Sequence, residues 1–330
     1  VKQVRKTISQ QPKPKTPAKP KAQLKPETQP KPGTQSKAKP IPKPVPKPLV
    51  SFVIPTINQV DLVVKCLSSL GAGLSLPVHA FEYVVVDDGS PPPLQEKLAK
   101  ALRPFNGRLL RWKKNTGFAH AVNSGAAVAR GRYLCLVNND LVFPRKPWLA
   151  AMLKEIEKPG AGVVGARLLY PSGRLQHAGI VYLPRARRFD HEYRHRPGNY
   201  PPALETTEVL GVTGALMLVE KGFWNKLGGM DEQFFLSWED VDFSLRTWAA
   251  GRRVLYTGQA YAVHPEGSTR ANRKAASWAF WHKMDRETKA RFWRKWGGRF
   301  FTAGWPDPET GGKPRFSRLQ ADYWCKVLRG

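Results

Sequence analysis

The chain is short of cysteine, of acid and of long apolar runs, and each shortage closes off a class of protein. Its three cysteines, Cys66, Cys135 and Cys325, form no Cys-x-x-Cys pair, so neither a zinc knuckle nor a disulfide framework is expected. Cys66 and Cys135 lie in apolar runs and read as small core residues, which suits a reducing compartment. No run of about 18 apolar residues occurs, so no membrane-spanning helix is expected. The basic start lacks the apolar segment of a secretory signal. There is no internal repeat and no helix-turn-helix or zinc pattern. Acids number only 25 against 54 Lys and Arg, a net charge of +29.

What is present divides into three parts. Residues 1–48 alternate Lys and Pro with Gln, Thr and Ala; they hold 12 Pro, and 13 Lys or Arg against the single acid Glu27. Such a segment cannot bury enough apolar surface to offset the entropy of ordering, and is read as a disordered linker, semi-stiff where Lys-Pro steps favour polyproline II. It carries +12 of the +29 and leaves +17 on the rest. That excess suits a polyanionic partner (anionic lipid, nucleic acid or a phosphorylated small molecule) or is simply a solvated surface. The chain opens on Val1 rather than methionine, as expected of a piece cut from a longer one. Residues 49–270 read as one folded domain, divided into a first part at 49–140 and a second at 141–270. Residues 271–330 read as an aromatic and basic helical extension.

From residue 49 the pattern alternates between strand and helix. Strands are expected at 49–54 (closed by Pro55), 81–86, 108–112, 133–137 and 162–165. Helices are expected at 62–70, 94–102, 119–129 and 148–156. This rhythm predicts an α/β fold with a Rossmann-like, mostly parallel sheet and helices on both faces. The rhythm breaks at 166–212, a region of short apolar pieces, prolines and a basic-aromatic loop. Strands at 214–219, 254–256 and 260–263 and helices at 223–227, 241–249 and 277–296 follow.

Three acidic clusters punctuate this pattern. Asp87 and Asp88 end one strand, Asn138, Asn139 and Asp140 follow another, and Glu239, Asp240 and Asp242 follow Trp238 at a helix start. Carboxylates at the carboxyl edge of a buried sheet lie where α/β folds bind ligands, and they suit holding a divalent cation or taking a proton. Each has a plainer explanation: Asx residues after strands form turns, and acids in a first helical turn are favoured by the macrodipole. His264 follows a strand and becomes a metal-ligand candidate only if it reaches the same edge as Asp140.

Taken in order, these residues resemble the family 2 inverting glycosyltransferases of GT-A fold, over roughly residues 49 to 300, and within them the rhamnosyltransferase-type enzymes of bacterial surface polysaccharides. The match runs through Pro55, Thr56 and Asn58 after the first strand, Asp88, and Gly117 with Asn123 on the following helix. It continues through Asn139 and Asp140 at the metal motif, Gly214 beside the donor sugar, Trp238, Glu239, Asp240 and Asp242 at the acceptor, and His264. Asn138 stands where the family's metal motif begins with an acid, leaving Asp140 as that motif's one carboxylate.

The resemblance implies a metal-dependent transfer from a nucleoside-diphosphate sugar to a hydroxyl acceptor in polysaccharide or glycoconjugate synthesis. In that scheme residues 49–140 are the nucleotide-binding half and 141–270 the acceptor half, and Pro55, Thr56, Asn58, Asp88, Gly117, Asn123 and Asn139 bind the nucleotide. Asp140 and His264 hold Mg²⁺ or Mn²⁺. Asp240 is the base with Glu239 beside it, and Gly214, Trp238 and Asp242 face the sugars. The acceptor is a glycan, a lipid-linked glycan or a protein, and the expected location is the cytoplasm. The helix with Trp278, Trp281, Phe292, Trp293 and Trp296 either rests on the inner face of the cell membrane or packs its aromatic face in the core. Nucleic acid is not the expected partner, because the tail has no aromatics to stack on bases. Two other classes remain: a catalytically silent module of the same fold, and a polyanion binder acting through its basic tail.

Overall fold

The structure, a computed structural model, describes residues 47–183, 188–235, 237–265 and 275–302. Residues 1–46 of the expected linker, residues 303–330 of the expected extension with Cys325, and the side chains of Trp278 and Trp281 lie outside what it describes.

The first half follows the expected alternation. Strands β1 (Val50–Thr56), β2 (Phe81–Asp88), β3 (Arg108–Trp112) and β4 (Tyr133–Val137) are linked by helices α1 (Val60–Ala72), α2 (Pro92–Leu102) and α3 (Phe118–Val128). They pair in parallel in the order β3-β2-β1-β4. Both faces of β1 are covered: Phe52 and Ile54 enter one apolar cluster and Val53 the other. A strand buried on both sides has no polar face, which is why these runs are continuously apolar rather than alternating.

The second half holds α4 (Trp148–Ile156), β5 (Ala161–Leu169), β6 (Leu175–His177), β7 (Ile180–Leu183), β8 (Arg188–His191), β9 (Thr206–Glu208), β10 (Leu216–Glu220), α5 (Lys221–Leu227), α6 (Glu239–Ala249), β11 (Arg253–Val263) and α7 (Ala275–Thr302). The sheet continues as β4-β10-β5-β11-β9, with β6 pairing β5. β10 runs antiparallel to both β4 and β5, and β5 and β11 are parallel. Helices α1, α2 and α4 feed the cluster on one face, and α3, α5, α6 and α7 the cluster on the other. β7 and β8 form a separate hairpin.

Three expectations are corrected. Pro55 does not close β1: the strand runs on to Thr56, past Val53, the last residue registered with β4, so the missing proline N–H falls beyond that ladder. The strands expected at 254–256 and 260–263 are one, β11, whose register against β5 jumps between Thr257 and Tyr261. The excursion carries Gly258 against the backbone of Ala203 and Leu204, where a Cβ would overlap them. The third correction concerns α7. Phe292 and Trp296 are buried, and Trp293 packs against the same cluster, so these three aromatics serve the core and do not form a lipid-facing stripe. No described helix is long and apolar enough to cross a membrane.

Candidate active site

The register fixes which side chains meet. Thr56 pairs with Asp87, Asp88 with Trp112, and Val263 with Leu169. The carboxyl ends of β1, β2, β4, β5 and β11 therefore share one edge, and β10 begins there. A two-way backbone bridge between Val142 and Val263, 2.8 Å each way, ties the loop after β4 to the end of β11. That bridge brings Asp140 to His264. The edge opens into a cleft of about 460 Å³, within the range of sites for small ligands. Asp88, Asp140, Asp240 and His264, the first and last 176 positions apart in sequence, all line it.

On one side stand Pro55, Thr56 and Ile57, Asp88, Asn115, Gly117 and Phe118, and Asn139. Asp88 is mostly occupied by its own fold: Oδ1 accepts from the Thr116 N–H and hydroxyl (2.9 and 2.5 Å), and Oδ2 from the Gly117 N–H at 3.0 Å. It thus shapes the turn that opens α3. Asn139 donates to Thr56 Oγ1 at 2.8 Å, joining β1 to the loop after β4. Gly117 has φ 94°, and a Cβ there would lie 2.9 Å from the carbonyl oxygen of Phe235, so only glycine fits.

At the floor, His264 Nε2 lies 3.1 Å from Asp140 Oδ1 and 3.4 Å from Asn138 Nδ2. The other ring nitrogen, Nδ1, is 2.7 Å from Gln176 Oε1. Gln176 is oriented by its own Nε2, which donates to the His264 carbonyl at 3.3 Å. An amide oxygen only accepts, so Nδ1 carries the proton. In the neutral ring, Nε2 then aims a lone pair at the Asp140 carboxylate. Two acceptors this close call for a shared cation or proton. One imidazole nitrogen and one carboxylate oxygen, with the ring held from behind by an amide, fit a divalent cation. Among the described residues no group of three or more His, Cys, Asp or Glu converges as a complete cage. The arrangement therefore suits an ion that keeps waters and takes ligand oxygens, as Mg²⁺ does on diphosphates.

On the far side, Asp240 occupies the first turn of α6 and receives two backbone N–H groups, from Gly214 to Oδ2 at 3.0 Å and from Val241 to Oδ1 at 2.8 Å. Burial raises its pKa above the ordinary carboxylate value, and those two N–H groups only partly offset it. A raised carboxyl in a cleft is a better proton acceptor than a free one. Glu239, Trp238 and Gly214 line the same wall. Ser237 and Trp238 both have left-handed backbones, φ 65° and 64°, a strain of about 1–3 kcal/mol each. The Trp238 ring is gripped edge-on by Phe189 and Phe292, with centroids 5.3 and 5.1 Å away.

Three expected site residues do not line the cleft. Asp242 is fully buried on α6 and binds Arg246 Nε at 2.7 Å, Lys295 Nζ at 2.7 Å and Trp296 Nε1 at 2.8 Å. It anchors α7. Asn123 binds both the N–H and the carbonyl of Met230 at 2.9 Å, and Glu232, so it pins the segment that leads to α6. Asn58 lies just past the lining residue Ile57 and gives its N–H to Ser90 Oγ at 2.8 Å. Conversely, Gln176, Phe189, Asp190, His191 and Arg194 line the cleft without a motif to announce them, and Thr213 does so beside Gly214. They come from β6, from β8 and the turn after it, and from the segment leading into β10, pieces too short to show a period.

Residues 51–219 match the family model described as Glycosyl transferase family 2. A protein of Sinorhizobium fredii designated y4gI is 27% identical over 84% of this chain and 31% of its own length. The O-antigen biosynthesis protein RfbC of Myxococcus xanthus is 31% identical over 68% of this chain and 18% of its own length. The chain thus spans a third or less of these two curated relatives. Among solved structures, the mannosyltransferase PcManGT of Pyrobaculum calidifontis, in complex with GDP-Man and Mn²⁺, matches with a TM-score of 0.53 at 18% identity, covering 87% of this chain and 72% of that one. GalNAc-T7 with UDP, GalNAc and Mn²⁺ matches at 0.58 and 16%, covering 85% and 55%. At these identities the two structures share the fold.

Proposed function

The chain belongs to glycosyl transferase family 2, and from that premise we propose that it moves a sugar from a nucleoside-diphosphate sugar to an acceptor hydroxyl, with inversion and with the help of a divalent cation. The observation that carries this reading is that Asp140 with His264 and Asp240 line a single cleft from separate elements. One end has the donor set for a diphosphate-bound cation and the other has a carboxylate suited to take a proton.

The nucleoside end of the donor lies against Pro55, Thr56 and Ile57 and the turn shaped by Asp88, with Asn139 alongside. Asp140 and His264 hold Mg²⁺ or Mn²⁺. When bound, the ion neutralises charge that builds on the leaving diphosphate. Asp240 takes the proton of the acceptor hydroxyl as its oxygen bonds to the anomeric carbon. The bond from that carbon to the diphosphate oxygen breaks in the same displacement, its electron pair leaving with the nucleoside diphosphate. Gly214 keeps Asp240 in place through its N–H, and Trp238 and Glu239 form the wall for the acceptor. The GDP-Man and UDP bound by the solved neighbours support the donor class, and the name of the Myxococcus relative supports a surface polysaccharide as the product. A glycan or lipid-linked glycan is the acceptor that follows.

The test is a panel of UDP-, GDP-, dTDP- and CMP-sugars, dTDP-rhamnose included, assayed for transfer and for donor hydrolysis with and without Mn²⁺. Turnover of one donor, dependent on Mn²⁺, with the anomeric configuration inverted in the product, is the expected result. Nucleotide binding with neither transfer nor hydrolysis for any donor would favour the catalytically silent module.

A further inference from the structure

Two adjacent residues of β6 contact two different histidines of the cleft, and only one of these contacts belongs to the cation site. Gln176 holds His264, as described. His177, fully buried, meets His191 at the end of β8: the two Nδ1 atoms are 2.8 Å apart, and the rings are nearly perpendicular, at 87°. One proton must lie between these nitrogens, because two lone pairs or two N–H groups would repel at that distance.

The far side of His177 decides which ring owns that proton. His177 Nε2 faces the Thr213 N–H in a long hydrogen bond of 3.4 Å. A backbone N–H only donates, so Nε2 is the acceptor and the proton of the neutral ring sits on Nδ1. Burial, then the neighbouring His191 and His264, hold the His177 pKa well below that of free histidine, so the ring stays neutral. His177 therefore donates to His191 Nδ1, and the remaining proton of a neutral His191 sits on Nε2.

His191 lines the cleft together with Asp240. Among the described residues, the charged and titratable groups near it are His177 from β6, Asp240 from α6, His264 just after β11, and Arg188, Asp190 and Arg194 from β8 and the turn after it. Positive charge on His191 would pull the Asp240 carboxyl down and weaken it as a base.

We propose that His177 is a positioning residue that locks His191 in its neutral Nε2–H form, and that His191 is a hydrogen-bond donor to an oxygen of the acceptor sugar beside Asp240. The lock supplies a donor without a cation next to the base. The inference rests on the acceptor side assigned under Proposed function, but its tautomer half is independent of activity.

Imidazole nitrogen-15 NMR on the whole chain tests that half. The expected result is His177 protonated at Nδ1 and His191 at Nε2, both neutral, through the range where free histidine titrates. A cationic His191, or one protonated at Nδ1, overturns the lock even if transfer is active. Kinetics tests the other half. His191→Ala is expected to raise the acceptor KM about tenfold, the size of one lost hydrogen bond, with donor KM unchanged. His177→Asn, which keeps an N–H donor, should retain the wild-type tautomer at His191, and His177→Leu should lose it. An active wild type whose His191→Ala variant binds acceptor as before would refute the donor role and leave the transferase reading intact. Absence of transfer by the wild type, with the tautomers as expected, would instead refute the transferase reading.

Discussion

Replacing Asp240 by Asn removes the proton acceptor while changing the shape of the site little, and the structure sets the size of the loss. An amide cannot take the hydroxyl proton, and a positioned base contributes about 10²–10⁴-fold, or roughly 2.7–5.4 kcal/mol of barrier at 1.36 kcal/mol per tenfold. Stability changes less. Asp240 satisfies the N–H groups of Gly214 and Val241 with its two oxygens, whereas Asn has one oxygen. One buried N–H then loses its partner, at about 1–3 kcal/mol, partly offset because burial already disfavours the charge that is removed. Against a typical domain stability of about 5–15 kcal/mol, the variant stays folded. Asp240 sits across the cleft from the proposed nucleotide side, so calorimetric binding of the nucleoside diphosphate with Mn²⁺ should match the wild type. Product formation at saturating donor and acceptor should fall by at least about a hundredfold. A folded variant that binds nucleotide normally and transfers within tenfold of wild type would remove Asp240 as the base.

Gln176→Leu frees the His264 ring and should weaken Mn²⁺ binding about 10–100-fold, read by electron paramagnetic resonance without any turnover; unchanged affinity would count against Asp140 and His264 as the cation ligands. Asp242→Ala removes the buried carboxylate that Arg246, Lys295 and Trp296 share and should cost about 1–3 kcal/mol, seen in denaturant melts, and an unchanged midpoint would mean that α7 is not anchored there. The acid limb of kcat/KM should lie above the ordinary carboxylate range, because Asp240 must be ionised to act and burial raises its pKa. Across that limb the folded state binds the Asp240 proton more tightly than the unfolded chain does, so this group makes the protein more stable as pH falls. Asp231 and Glu82 are shifted the other way, down, Asp231 by Lys295 and Arg291 and Glu82 by Ser51 and Arg130, each against its own desolvation. Their stabilisation is lost only at lower pH, as they protonate. Thermal melts should therefore hold steady while activity drops, and a parallel fall of both would assign the limb to unfolding.

The half of the molecule that could be read in advance is the half built from long apolar strands. Strands β1, β2, β4 and β5 are buried on both faces, so their composition alone marks them, and a carboxylate at the end of such a strand has few places to go. The acceptor side resisted for the opposite reason. β6, β7 and β8 are only three or four residues long, and β6 and β8 carry His, Gln and Arg, so neither length nor composition marks them as strands. Asp242 was legible in principle: it lies two residues after Asp240 on a helix, about 200° around the axis, so both cannot face one cleft. Asn123 offered no such clue, since its partners Met230 and Glu232 are more than a hundred positions away.

Gly117 admits no side chain because Phe235 lies against it, and Asn123 clasps Met230. The stretch that presents Asp240 is thus seated on α3 of the opposite half. Chimeras made to change acceptor preference inherit that constraint. A splice at the end of β4 would graft a foreign 230–238 stretch onto an unmatched α3, whereas a splice that moves α3 with it would transplant both surfaces of the joint.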